Sequence, residues 1–147
     1  MTRNRWFSVL ALVAGAGLVG GLGIMPAVGD TSTPSSSVIL GGTAQIVNRG
    51  AAALPFALVV CDPGDFASLA ISLTERSGGG IAAGAGFADV NCTGQIQTVT
   101  IPVTANGKPF VKGTAFGQAS LFSCGIDTCG ESIVSADVKL LKQTHKK

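Results

Sequence analysis

Apolar and polar residues alternate along short runs through most of this chain, and Gly, Pro, Asn and Asp separate the runs. In "QTVTIPVTA", residues 97–105, Val99, Ile101 and Val103 share one face while threonines occupy the other. A period of two residues is typical of a half-buried β-strand, whereas an amphipathic helix repeats about every 3.6 residues. No stretch sustains the helical period, so the pattern predicts an all-β protein.

Seven such runs are strand candidates, and turn sequences such as Asp-Pro-Gly and Asn-Gly separate them. Seven short strands with evenly spaced turns are typical of an immunoglobulin-like β-sandwich, which we predict for residues 37–141. We expect a break at Gly41–Gly42, and a bulge or an exposed edge at Pro102, which has no N–H to donate. The predicted strands are Ser37–Gly50, Leu54–Cys61, Ser68–Arg76, Ile81–Cys92, Gln97–Ala105, Gly113–Cys124 and Glu131–Leu141.

Residues 1–29 have the features of a secretory signal peptide. Arg3 and Arg5 give the start a positive charge, an uncharged run follows from Phe7 to Met25, and Ala27 and Gly29 are small residues suited to cleavage. The alternative is an uncleaved anchor helix, because the apolar run is nearly long enough to span a bilayer. Cleavage would leave no membrane span, so we predict a secreted or extracellular protein, free or attached to the cell wall. The remaining boundaries are a disordered linker at 30–36, the sandwich at 37–141 and a basic tail at 142–147.

The four cysteines, Cys61, Cys92, Cys124 and Cys129, all follow the predicted leader. An even number in an exported chain predicts two disulfides, for which three pairings are possible in principle. If successive strands run up and down, all four cysteines fall at one pole of the domain. Cys124 and Cys129 flank the tight hairpin "CGIDTCG" and should pair, which leaves Cys61 for Cys92. That second bridge closes a loop of about 30 residues and should contribute about 3–4 kcal/mol.

Charge argues against a nucleic-acid partner. The whole chain has a formal net charge of +2, but removing the predicted leader leaves eight basic and eight acidic residues. Half of those basic residues lie near the C-terminus, from Lys139 onward. A nucleic-acid-binding protein needs a broad basic surface, which this composition does not supply.

Groups suited to catalysis are scarce. The only histidine, His145, lies in the basic tail, so a Ser-His-Asp arrangement is nearly excluded, and we predict no enzyme activity and no cofactor. Asp62, Asp65 and Asp127 lie close to cysteines and are weak candidates for an oxygen-rich cation site. The alternative is that these side chains hold turns by bonding to nearby backbone N–H groups.

Phenylalanines are the remaining candidate binding residues, because no Trp or Tyr follows residue 29. We expect most of the phenylalanines in the core. The alternative is that Phe66, Phe87, Phe116 and Phe122 line an apolar ligand cleft. The run "IAAGAGFADV", residues 81–90, consists mostly of Ala and Gly and has little side-chain volume to pack. We therefore expect it either to form the floor of a shallow groove or to be a loosely specified edge strand.

"CDPGDFASL" at 61–69, followed by the C-x4-C hairpin at 124–129, resembles the enediyne-carrier apoproteins of the neocarzinostatin family. Those proteins are secreted actinobacterial seven-strand immunoglobulin-like sandwiches that hold a reactive chromophore in a cleft. The resemblance implies that Phe66 contributes to such a cleft. The family's other disulfide, in a short hairpin before this motif, and its cleft tryptophan have no counterpart here. "GGTAQIVNRGAA", "LTERSGGGIAAG" and "VKGTAFGQASLFSC" are similar to a broader set of uncharacterised exported actinobacterial sandwich proteins, which implies fold and export.

Two functions therefore compete. The first is a secreted, non-catalytic module that binds an unknown extracellular partner or contributes to cell-envelope structure. The second is a carrier of a small apolar molecule, such as a chromophore or antibiotic, as in the neocarzinostatin family. A single core containing all four candidate rings would exclude the carrier.

Overall fold

A computed structural model describes residues 36–143 and shows an all-β protein, as the alternation predicts. The predicted signal peptide, all but the last residue of the predicted linker, and residues 144–147 of the predicted tail lie outside the described residues. One 3-10 turn, Asn48–Gly50, interrupts the strands. The strands are β1 Ser37–Val47, β2 Ala52–Val60, β3 Phe66–Ser77, β4 Gly80–Asn91, β5 Gln97–Thr100, β6 Val103–Gly107, β7 Gly113–Cys124 and β8 Cys129–Lys142.

Seven of these strands form a closed barrel. Antiparallel pairs join β8 to β7, β7 to β3, β3 to β4, β4 to β6 and β6 to β2, and β2 pairs with β1. A short parallel pairing of β1 with β8 completes the ring, and β5 pairs with β2 beside β6. The prediction of a sandwich is corrected here, because hydrogen bonding continues around the barrel where two separate sheets were expected.

Closure depends on a break in the fifth predicted strand, Gln97–Ala105. Pro102 has no N–H with which to extend a ladder. β5 pairs with β2 before this point, and the Ile101 N–H donates to the Pro55 carbonyl at 3.2 Å. After Pro102 the chain continues as β6, which pairs mainly with β4. One predicted strand is therefore two strands, and the second of them connects β2 to β4. The predicted break at Gly41–Gly42 is also present, as a register shift between Leu40 and Ala44.

The core fills the narrow interior of the barrel. Alternate residues of each strand point inward, so β3 contributes Leu69, Ile71 and Leu73, all at most 1% exposed. Alanines at many other inward positions leave room for these larger side chains, because a barrel of seven or eight strands is only wide enough to be filled by its own side chains. The inward alanines include Ala53, Ala57, Ala67, Ala82, Ala115 and Ala119.

The glycines of β4 have a structural role in closure. A Cβ added to Gly84 would lie 2.1 Å from the Thr104 carbonyl oxygen, and one added to Gly86 would lie 2.3 Å from that of Pro102. The backbone leading into and along β6 thus passes directly over these two positions. β4 lies between β3 and β6, so the hypothesis of a loosely specified edge strand was wrong.

The barrel has two chemically different poles. The pole that holds the loops after β2, β4 and β7 contains all four cysteines and most of the carboxylates, and we call it the disulfide pole. The opposite pole is formed by the turns after β1, β3 and β6 and by the end of β8, and we call it the basic pole. Every lysine and arginine among residues 36–143 lies in or near the basic pole: Arg49, Arg76, Lys108, Lys112, Lys139 and Lys142.

Candidate functional site

Both predicted disulfides are present. Cys61 bonds to Cys92 across 31 residues, and Cys124 bonds to Cys129 across five. Cys61 and Cys92 are 1% and 5% exposed, so their bridge belongs to the core, whereas Cys129 lies on the surface. The first bridge joins the ends of β2 and β4, and the second joins β7 to β8. The ends of these strands are therefore covalently fixed at one pole.

The segment between β2 and β3 is a tight turn. The Asp65 N–H donates to the Asp62 carbonyl at 3.1 Å, and Gly64 has φ of 88°, which is the geometry that a Pro-Gly type II turn requires. Further backbone bonds from Gly64 to Cys92 and from Gly94 to Cys61 tie this turn to the loop after β4.

The three candidate cation ligands do not form a metal site. The carboxylate of Asp65 faces the β7–β8 hairpin, where a Cβ on Gly125 would lie 2.9 Å from its Oδ1. Asp62 and Asp127 are exposed on the turn and on the hairpin. Within residues 36–143, no group of three or more His, Cys, Asp or Glu side chains is placed to hold a metal ion. His145 lies outside the described residues.

The expectation that most phenylalanines belong to the core was wrong. Of the six in residues 36–143, Phe110 alone is buried, and Phe56 is half-buried. The four candidate rings are all exposed, by 62% at Phe66, 83% at Phe87, 56% at Phe116 and 44% at Phe122. The sequence contained the signal, because Phe66 shares its strand face with the polar residues of β3.

All four exposed rings lie on one surface, the outward side of β4, β3, β7 and β8, which we call the phenylalanine face. Ala70 at its centre pairs with Phe87 on β4 and with Ser120 on β7, while Thr74 pairs with Phe116. Small side chains form the floor between the rings. A shallow groove of about 120 Å³ lies there, and its walls include Ala70, Ser72, Ala85, Gln118 and Ser120.

Carboxylates accompany three of the four rings. The Ser120 hydroxyl donates to Oε1 of Glu131 at 2.6 Å, which fixes one carboxylate beside the groove. Anionic ligands are disfavoured on such a surface, because like charges repel. The ring and carboxylate neighbours are Phe87 with Asp89 two residues along β4, Phe122 with its cross-strand partner Glu131, and Phe116 with its partner Asp137.

A second apolar surface covers the outward side of β2. Phe56 lies over Gly41 of β1, where an added Cβ would overlap its ring, and a groove of about 470 Å³ runs beside it toward Thr98 and Thr100. Sequence reasoning missed this surface, because β2 is apolar on both faces and reads as a buried strand.

A pocket of about 600 Å³ lies at the basic pole. Its walls come from the 3-10 turn after β1, the segment that follows β6, and the end of β8. Arg49, Lys112 and Lys142 line it together with apolar residues. No sequence pattern indicated this site, because its three cations are separated by 63 and 30 positions along the chain and meet only through the fold.

Comparison with known proteins supplies no identity for the chain. The sequence matches no protein-family model, and no curated protein is detectably similar to it. None of the helical segments in residues 36–143 has the length and apolar character needed to cross a membrane. The described part of the chain is thus defined by its own geometry as an all-β barrel with two disulfides.

Proposed function

We propose that this protein is an exported, non-catalytic binding module whose ligand surface is the phenylalanine face. The observation that carries the proposal is the placement of four exposed rings on the outward side of three neighbouring strands, β4, β3 and β7. Single exposed hydrophobic residues need no explanation, but four large exposed rings on one surface are typical of a site of interaction. Two disulfides in the described residues are compatible with an extracellular location.

The geometry favours a flat apolar molecule. Neighbouring strands lie about 4.8 Å apart and residues rise about 3.3 Å along a strand, so the Cα atoms of Phe87 and Phe122, two strands and two residues apart, are separated by about 12 Å. Ala70 and Ser68 on β3, the register partners of Phe87 and Phe122, place only small side chains between them. We therefore expect a flat apolar molecule to lie over this floor and to contact both rings at about 3.5–4.0 Å.

The surface is also held in place before binding. The Cys61–Cys92 bridge fixes the loops that precede β3 and follow β4, and the Cys124–Cys129 bridge fixes β7 against β8. Rigid presentation lowers the ordering cost that binding would otherwise incur. Single-stranded nucleic acid also stacks on aromatic platforms, but it requires a positive groove, and the carboxylates beside these rings oppose it.

A carrier of a small apolar molecule is the form of this function that we favour. The resemblance of "CDPGDFASL" to the neocarzinostatin family implies the same function, and it assigns Phe66 to the ligand site. An enzyme is disfavoured in this proposal, since no group suited to acid–base chemistry is placed on the phenylalanine face beyond its bordering carboxylates.

Titration with the neutral fluorescent probe N-phenyl-1-naphthylamine tests the proposal. We expect saturable binding that weakens about three- to tenfold in F87A and in F122A, since one aromatic contact contributes about 0.5–1.5 kcal/mol. The matched control is I39A, which removes a 61% exposed apolar side chain from β1, away from this face. No saturable binding, or equal weakening in I39A, would contradict the proposal. Native mass spectrometry of protein from culture medium would reveal any retained molecule.

A further inference from the structure

The pocket at the basic pole is a second site, separate from the phenylalanine face and independent of the function proposed for it. It opens at the end of the barrel, whereas the phenylalanine face lies on the barrel wall. Its volume, about 600 Å³, falls in the usual range for a small-molecule site.

Three cations line this pocket without a carboxylate partner. Arg49, Lys112 and Lys142 form no ion pair within residues 36–143. Glu75 is the nearby buried carboxylate, and it is 3% exposed beneath the segment after β6. Its Oε2 accepts a hydrogen bond from the Val111 N–H at 3.0 Å, so this carboxylate holds the backbone of the pocket wall. Three positive charges around one concavity repel each other, and an anion between them relieves that repulsion.

The rest of the lining is mixed, because Asn48 and Gln143 are polar and the other five residues are apolar. Ile46 and Phe110 contribute buried surface, and Val111 is 40% exposed at the edge. An inorganic anion would use the cations but gain nothing from these side chains. A ligand that satisfies the whole lining has one anionic group and an apolar body.

The frame of the pocket is fixed by its backbone. Asn48 and Arg49 have φ of 51° and 58°, and Gly50 has φ of 95°, so three successive residues adopt left-handed conformations. The Phe110 N–H donates to the Gly50 carbonyl at 2.9 Å, and a Cβ on Gly50 would lie 2.4 Å from the Phe110 carbonyl oxygen. The turn that carries Arg49 is thereby locked against the segment that carries Lys112. The backbone positions from which Arg49 and Lys112 extend are therefore fixed before any ligand arrives.

We propose that this pocket binds a small amphipathic organic anion, with a phosphate, sulfate or carboxylate group among the three cations and its apolar part against Val47 and Val111. The ligand of this pocket is expected to differ in charge from the ligand of the phenylalanine face. Carboxylates border that face, whereas cations line this pocket.

Titration of the isotope-labelled protein with phenyl phosphate, followed by amide chemical shifts, tests the site. We expect saturable shifts confined to the amides of residues 46–50, 110–112 and 142–143. Inorganic phosphate should bind at least tenfold more weakly, which separates an amphipathic ligand from the free ion. Benzylamine, of similar size and opposite charge, should leave these signals unmoved. Shifts centred on the phenylalanine face, or equal affinity for inorganic phosphate, would overturn the proposal.

Two variants and one control separate the pocket from general electrostatics. R49Q removes a lining cation, and V111E adds a carboxylate to the wall while it retains every cation. Each should weaken phenyl phosphate binding about tenfold. K139Q makes the same charge change as R49Q on β8 outside the lining and should stay within twofold of the wild type. Equal weakening in K139Q and R49Q would attribute binding to net charge and refute the site. Unchanged binding of phenyl phosphate to V111E would refute the proposed site, even if R49Q does not fold.

Discussion

The two disulfides should stabilise the barrel to very different extents, because they close loops of different length and lie in different environments. The informative perturbation is removal of one bridge at a time, as C61A/C92A and as C124A/C129A. Alanine avoids placing a hydroxyl where Cys61 and Cys92 are buried. Both variants retain the other bridge, so each serves as the control for its partner.

The expected magnitudes come from the loop lengths and from burial. Bridges spanning 31 and five residues contribute about 3.7 and about 2.1 kcal/mol in the chain-entropy model. Loss of the two buried sulfur atoms at Cys61 and Cys92 removes about 0.8 kcal/mol of apolar burial each. The Cys124–Cys129 bridge gains less from burial, since Cys129 is exposed. C61A/C92A should therefore be less stable than C124A/C129A by about 3 kcal/mol.

Urea unfolding followed by far-ultraviolet circular dichroism measures this difference, because the signal reports the strands and requires no tryptophan in the barrel. The free energy of unfolding in water is compared among the wild type and the two variants. Equal losses, or a larger loss in C124A/C129A, would refute the assignment of the longer bridge as the main covalent restraint. Amide spectra of both variants in water establish that each comparison starts from the same fold.

Three further predictions concern single positions. G84A should lower the free energy of unfolding by at least about 1–3 kcal/mol, because its Cβ would overlap the backbone of β6. G42A, where an added Cβ meets open space, should change it by no more than about 0.5 kcal/mol. Chemical denaturation measures both variants, and equal effects would contradict the closure geometry. E75A should lower the free energy of unfolding by about 1–3 kcal/mol, because it leaves the Val111 N–H without its acceptor. E75Q retains a carbonyl oxygen and should lower it less. Comparable losses of stability in the two variants would argue against this hydrogen bond. S123A should be neutral or stabilising in a melting experiment, because its buried Oγ has no hydrogen-bond partner among the described residues, and a clear loss of stability would indicate an unseen partner.

The candidate site was partly predictable. Because successive residues of a strand point to opposite sides, Phe66 shares its side of β3 with Ser68, Ser72 and Thr74. By the same rule, Phe122 points to the side of β7 opposite to that of the buried Leu121. The general tendency of phenylalanine to be buried pointed the other way and was misleading here. The basic pocket was beyond any local rule, because Arg49, Lys112 and Lys142 belong to three segments whose proximity depends on how the barrel closes.

The sequence by itself determined most of the strands, the Pro63-Gly64 turn and the Cys124–Cys129 hairpin bridge, because alternation, turn chemistry and hairpin length are local properties. The Cys61–Cys92 pairing followed only with the added assumption that successive strands run up and down. Only the tertiary structure decided that the sheet closes into a barrel. Closure depends on β6 pairing with both β2 and β4 after Pro102, and on Gly84 and Gly86 allowing the backbone of β6 to approach β4. Those contacts join residues that are close in space but distant along the chain, and no local pattern encodes them. Strand parity indicated the outward side of Phe66 and Phe122, whereas the pairing of β4 and β7 with β3 brought the four rings onto one surface.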